Sequence, residues 1–304
     1  MESLFIGQAY IDITFLVDHL PTGDEKTVAE DYAVAFGGNA VTAAFTCARL
    51  GFRPDLLCVL GDDWIGRMFL DMADRYRVSI HARKVRASAL SFVMPRGMKR
   101  AIVRCRDDHY LHPFPQLSLD QCRLLHIDGH QPDAALHYAR ICREAGILTS
   151  MDGGTVRENT DAVLDNIDVA VVSEDFCRAR DERPMETIAY LRRKGVKVAG
   201  VTLGSEGMIW QEDDGEPAHL PALDVPTAQV VDTNGAGDVF HGAYCASWLM
   251  DRTKPWREHF LYARAASAHA IQNLGNEASV PERTDVERAM TRFTAKPLNE
   301  TLLI

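Results

Sequence analysis

The stretch Val231-Asp232-Thr233-Asn234-Gly235-Ala236-Gly237-Asp238-Val239-Phe240-His241-Gly242 reads as an anion site with a base built in. Gly235, Ala236 and Gly237 carry too little side chain to shield their own backbone amides. Directly after them the pattern turns helical. Val239, Phe240, Ala243, Ser247 and Met250 fall near one face, and no Gly or Pro interrupts from Ala243 to Met250. A small-residue turn that opens a helix directs free N–H groups, and the positive end of the helix dipole, at an anion. Asp238 stands in the first turn of that helix. An acid beside a phosphate would repel it if binding were its only task. It makes sense as a base that takes a proton from an attacking hydroxyl. A buried helix entry capped by Asp238 fits the same spacing.

The elements that must position this loop alternate along the chain. Apolar runs at residues 3–7, 56–60, 124–128, 147–151, 169–172 and 197–203 read as core strands. Helical patterns cover residues 39–50, 64–76, 133–145, 185–194, 256–273 and 282–293. Strand, loop, helix, strand at this spacing is a parallel βαβ unit, with function at the C-terminal ends of the strands. The expected fold is α/β: a three-layer αβα core with a largely parallel sheet. Two alternating stretches, residues 14–35 with a turn at Pro21-Thr22-Gly23-Asp24 and residues 88–106 with a turn at Pro95-Arg96-Gly97, read as β-hairpins that interrupt a helix-rich chain. Residues 296–304 read as a loose tail.

With 304 residues, 46% of them hydrophobic, the chain has ample core for one large domain. The net charge of −10 argues against nucleic acid as a partner. No apolar run reaches the roughly 20 residues needed to span a bilayer, and Met1-Glu2-Ser3-Leu4-Phe5 lacks a basic leader, so no membrane partner is expected. Seven cysteines, an odd number with no C-x-x-C, read as buried hydrophobes in a reducing cytoplasm. The absence of G-x-x-x-x-G-K-[ST] excludes a P-loop, and the absence of G-x-G-x-x-G lowers the odds of a dinucleotide enzyme.

At Asp232-Thr233-Asn234-Gly235-Ala236-Gly237-Asp238-Val239-Phe240-His241-Gly242-Ala243 the chain resembles the second signature of the ribokinase, or PfkB, family of carbohydrate kinases. Phe36-Gly37-Gly38-Asn39-Ala40 and the small-residue helix after it resemble the first signature. Val201-Thr202-Leu203-Gly204-Ser205-Glu206-Gly207 resembles the family's nucleotide loop. Three motifs in family order form a strong signal. The resemblance implies one ribokinase-like domain over residues 1–304, with a small β-sheet lid inserted as residues 10–35 and 87–112. It implies transfer of the γ-phosphate of Mg·ATP to a primary hydroxyl of a small sugar. Asp238 is then the catalytic base, and Gly235, Ala236 and Gly237 form the anion hole. Asp12, Gly37, Gly38, Asn39 and Thr42 bind the sugar, with Thr42 where many members have a second Asn. The resemblance also places Ser173, Thr202, Gly204, Ser205, Gly207, Gly237, Arg264 and Ala268 at the nucleotide. Carbonyls around Asp232, Asn234, Gly275 and Ser279 would hold a monovalent cation such as K+. Exposed lid sheets pair in relatives, which implies a homodimer.

The chain departs from the family where many members carry N-x-x-E for Mg2+ and phosphates. Here those places hold Ser173 and Phe176. Together with Leu125-His126-Ile127-Asp128-Gly129-His130 and Asp152-Gly153-Gly154, this looks like the branch of ketohexokinases and sulfofructose kinases. His130 ends a strand and is a candidate substrate contact, although a lone His is also an ordinary structural residue. Residues 83–106 hold Arg83, Lys84, Arg86, Arg96, Lys99, Arg100, Arg104 and Arg106 with no acid. They form either a solvated hairpin or, through Arg104, a site for an anionic sugar. Two rival functions stay open. One is a nucleoside kinase, with Phe15, Tyr32 and Phe92 stacking on the base. The other is a non-catalytic sensor, which has little need of an acid at position 238.

Overall fold

Runs such as Ser3–Gly7 and Val169–Ser173 are apolar without alternation, which fits strands covered on both faces. The structure, a computed structural model, describes residues 1–19, 21–96 and 99–303, and the side chains of Arg96, Lys99 and Arg100 lie outside the description. Two sheets share the chain. The larger holds β1 (Ser3–Gly7), β4 (Asp55–Gly61), β5 (Ser79–Val85), β8 (Leu124–Ile127), β9 (Leu148–Gly153), β10 (Val169–Ser173), β11 (Val198–Thr202), β12 (Met208–Glu212) and β13 (Ala218–Leu220). Its order is β13-β12-β11-β10-β9-β8-β1-β4-β5. Pairing is parallel from β5 to β11 and antiparallel at the β12 and β13 edge. The smaller sheet holds β2 (Tyr10–Leu16), β3 (Asp31–Gly37), β6 (Ala89–Arg96) and β7 (Lys99–Cys105) in the order β3-β2-β6-β7. The expected turn at Pro95-Arg96-Gly97 reaches outside the described residues at Gly97.

The helices are α1 (Asn39–Arg49), α2 (Trp64–Tyr76), α3 (Pro132–Glu144), α4 (Thr160–Leu164), α5 (Glu174–Ala179), α6 (Pro184–Arg193), α7 (Ala236–Met250), α8 (Trp256–Ala270), α9 (Gly275–Ser279) and α10 (Arg283–Arg292). Successive strand residues serve opposite layers, as strand geometry requires. Phe5, Val169 and Val171 pack with α1, α7 and α8, while Leu4, Ile6, Ala170 and Val172 pack with α3, α4 and α6. The expected three-layer αβα core and mainly parallel sheet are the observed fold.

Two expectations change. The basic stretch at 83–106 is not one hairpin, because Arg83 and Lys84 lie in β5 of the large sheet. Ser79–Val85 alternates polar and apolar residues because β5 is that sheet's edge. Arg83 is buried, forks onto both carboxylate oxygens of Asp133 at 2.6 and 2.7 Å, and lies 3.5 Å over the Tyr110 ring. The segment expected to be a loose tail is docked: Ala295 bridges Leu223, Lys296 N donates to Ala222 O at 2.9 Å, and Leu302 and Leu303 pack on the core.

Helices α1 and α7 both begin at glycine-rich turns and touch along their first half. A Cβ on Gly242 would lie 2.3 Å from Ala43 O and 2.6 Å from Thr46 Cβ. In an open helix, Gly→Ala stabilises by about 1 kcal/mol. Here Gly242→Ala is expected to destabilise by about 1–3 kcal/mol through overpacking, read as a lowered denaturant midpoint with the slope unchanged.

Candidate active site

Gly235 starts α7 with φ +74°, a left-handed conformation that suits glycine. The turn leaves Gly237 exposed and brings half-buried Asp238 into the first helical turn. Ser267 Oγ, from α8, donates to Ala236 O at 2.9 Å and ties the turn down. Beside it runs a groove of about 480 Å³. Thr202, Gly204, Ser205, Gly207, Ala236, Gly237, Arg264 and Ala268 all line it. Leu223, Val225, Phe240 and Ile271 add apolar walls, and Lys296 contributes a cation from the docked tail. Gly204 and Gly207 have φ of +55° and +91°, and a Cβ on Gly207 would meet Leu220 O at 2.1 Å. Arg264 spends part of its fork on Pro221 O at 2.8 Å. Ser173 pairs in register with Thr202 but does not line the groove. Its hydroxyl donates to Gly154 O at 3.1 Å and caps α5, while Phe176 is core.

On the other side of the turn lies a cluster of acids at strand ends. Asp12 belongs to β2 and aligns with Ala35, Ser91 and, through Ser91, with Arg104, so these four share one face of the small sheet. A Cβ on Gly37 would strike the Asp12 carboxylate at 2.3 Å, and one on Gly38 would strike Gln8 O at 2.0 Å. Burial lifts the Asp12 carboxyl to about 6, with the Asp232 charge adding to the rise; Ser91, Arg104 and Asn234 oppose it. Exposed Arg104 also sits 5.3 Å over the Tyr10 ring.

Asn39 Nδ2 donates to Asp152 Oδ2 at 2.9 Å. Asp152, at the end of β9, is held above the usual carboxylate range by burial and the neighbouring Asp128 charge. Asp128, at the end of β8, accepts Ala40 N at 3.2 Å and so caps α1, whose own Ncap, Gly38, has no side chain to do it. Despite burial its carboxyl is held low by His130 and backbone donors. His130 has both ring nitrogens engaged, Nδ1 with Asp128 at 3.0 Å and Nε2 with Arg157 at 2.9 Å. Thr42 is fully buried beneath Gly235, and its hydroxyl has no hydrogen-bond partner among the described residues. Asp232, Asn234, Gly275 and Ser279 adjoin one another: Asp232 accepts Asn234 N at 2.8 Å and Gly275 N at 3.3 Å, and Ser279 donates to Gly275 O at 2.8 Å. Asp128, Asp152, Arg157, Asn276 and Lys296 were not among the expected site residues. For the two acids the signal was there, as each ends a core strand before glycine. Arg157, Asn276 and Lys296 carry no local signal.

A small-residue turn with an acid in its first helical turn thus stands between a groove and a polar pocket. Residues 2–283 match the family model described as pfkB family carbohydrate kinase. The chain belongs to that family, and it is a phosphotransferase that acts on an alcohol group. It is 20% identical over 298 residues to a ribokinase of Haemophilus influenzae, covering 92% of this chain and 95% of the relative. It is 22% identical over 314 residues to a nucleoside kinase of Methanothermobacter thermautotrophicus, covering 97% and 96%. A solved structure of Arabidopsis thaliana ribokinase with ribose and ATP superposes with a TM-score of 0.80 at 23% identity, covering 96% of this chain and 99% of that one.

Asp12 carries a testable sign. Its folded value of about 6 lies above the reference 3.8, so its contribution favours folding below about pH 4 and is lost as pH rises through about 6. Holding it ionised costs on the order of 3 kcal/mol. Asp12→Asn is expected to melt above the parent at pH 8, with the advantage shrinking as pH falls from 7 to 4. A pH-independent difference in melting temperature would contradict this assignment.

Proposed function

We propose that this protein is a sugar kinase in which Asp238 is the base and Asp12 the main sugar contact. The observation that carries the reading is the position of the α7 turn between the groove and the Asp12 pocket. In the proposed reaction a primary hydroxyl of the sugar, resting on Asp12, Gly38 and Asn39, loses its proton to Asp238. Its oxygen forms a bond to the γ-phosphorus of ATP while the bond to the bridging oxygen breaks and ADP leaves. The amides of Gly235, Ala236 and Gly237 take the charge that develops on the transferred group. ATP occupies the groove, with Thr202, Gly204, Ser205 and Gly207 along one wall and Arg264 and Ala268 along another. The small sheet acts as the lid over the sugar.

Mg2+ would enter with ATP, held by its phosphates and by water, and would offset charge on the phosphates. Ser173 and Phe176 offer it no carboxylate, and no step here is routed through it. The oxygens around Asp232, Asn234, Gly275 and Ser279 are of the hard type an alkali cation takes, which supports K+ as an activator.

Arg104 supports an acceptor with an anionic substituent: it shares a sheet face with Asp12, and no ion pair holds it among the described residues. The aromatics that would favour a nucleoside lie elsewhere. Phe15, Tyr32 and Phe92 fall on the opposite face of the small sheet from Asp12, so they stack on nothing bound there. That outer face, with Tyr32, Phe92 and Val103 exposed, supports a homodimer formed through it.

Release of ADP from Mg·ATP, followed across neutral ketoses and aldoses, sugar acids, sugar phosphates, sulfofructose and nucleosides, tests the reading. Asp238→Asn is expected to lower kcat by about 10²–10⁴ on any acceptor, and near-normal turnover would remove its role. Arg104→Gln should raise KM about tenfold for anionic acceptors only, a loss on the order of one charge-assisted bond. Phe92→Glu with Val103→Glu should convert a dimer to a monomer by light scattering; a parent that is already monomeric would refute the pairing.

A further inference from the structure

We infer that Asn276 is a positioning residue for the sugar: it holds the Asp12 carboxylate in place and keys it to the anion turn. The inference rests on the proposed sugar-kinase reading and goes beyond it, because it assigns a residue on neither substrate's wall.

Asn276 lies in α9, 264 residues from Asp12, and is 2% exposed. Its Nδ2 donates to Asp12 Oδ2 at 3.2 Å and to Phe36 O at 2.9 Å. Both amide hydrogens therefore go to the small sheet, one to β2 and one to β3. Its Oδ1 is buried with no hydrogen-bond partner among the described residues and faces Gly235, where a Cβ would lie 2.3 Å from it. One planar side chain thus touches the sugar acid, the first glycine pair's strand and the first residue of the anion turn. A carboxylate on a two-torsion side chain has several staggered positions. One donor to its Oδ2, on an amide whose plane is fixed by the second bond to Phe36 O, selects among them for Asp12. Ser91 and Arg104 share the sheet face of Asp12 and act on the same carboxylate. The neighbouring Glu277 is turned away, toward Tyr76 at 3.4 Å and Arg75 at 3.9 Å. Because both its hydrogens are spent inside the protein, Asn276 acts on the substrate only through Asp12.

Two variants separate donor from shape. Asn276→Ala removes the side chain, and Asn276→Asp keeps its outline while removing the donor. Steady-state kinetics on the panel's best acceptor, at saturating ATP and then at saturating sugar, is the readout. Protection against melting by a non-hydrolysable ATP analogue shows that each variant is folded. Both variants are expected to raise KM for the sugar at least tenfold, with KM for ATP within about twofold of the parent. An unchanged sugar KM in either folded variant overturns the assignment, as does a parallel rise in both KM values, which would mark a merely structural role in the turn. Loss of analogue protection in both variants overturns it for that same reason. If the parent itself turns over no acceptor in the panel, the sugar-kinase reading fails and this inference falls with it.

Discussion

Everything at the site depends on how closely α1 and α7 approach. Their contact is made by Gly242 against Ala43 and Thr46, with no room for even a methyl group between them. Dispersion and burial favour that fit, since both helices contribute fully buried Ala, Val and Phe side chains to one cluster. Both helices open at glycine turns above the same end of the large sheet. Packing them together therefore brings the Gly37-Gly38 turn and the Gly235-Ala236-Gly237 turn into one place. Two helix N-termini, with the positive ends of their dipoles, then lie close together.

That concentration of positive backbone ends explains how so many carboxylates are tolerated nearby. Asp128 caps α1 from another strand and is held ionised by His130 and backbone donors. Asp152 and Asp12 are instead pushed up by burial, with the Asn39 amide donating to Asp152 and the Asn276 amide to Asp12. Behind Asp152 the polar atoms continue inward: His241 Nε2 lies 3.6 Å from it, and His241 Nδ1 meets the Tyr244 hydroxyl, which meets Ser150. Burial drives His241 down to about 3, so it stands neutral beneath the acid. Buried acids that cost stability are what a working site retains, because the energy is recovered only when substrate binds.

The groove and the pocket are built by different means. The groove wall is a strand-end turn, a single 3-10 turn at Gly204–Glu206, closed by α8 and by the docked C-terminal segment. The pocket needs the second sheet, whose alternation sends Asp12, Ser91 and Arg104 one way and Ile13, Phe15 and Phe92 the other. One sheet thus carries a polar face around Asp12 and an apolar face opposite it.

What the sequence determined by itself is whatever short-range pattern specifies. The period of apolar residues marks core strands and helices, so β1, α2 and the αβα layering were legible. The glycine turns and Asp238 were legible because small residues before a helix and an acid in its first turn are local facts. Only the tertiary structure decided the rest. An edge strand such as β5 alternates like a hairpin, and its membership in the large sheet depends on pairing with β4. Residues 296–303 look featureless until Ala222 and the core provide partners. Asn276, Arg157 and Lys296 have no motif, since a side chain's hydrogen bond to a strand 264 residues away is set by packing and leaves no trace in local spacing.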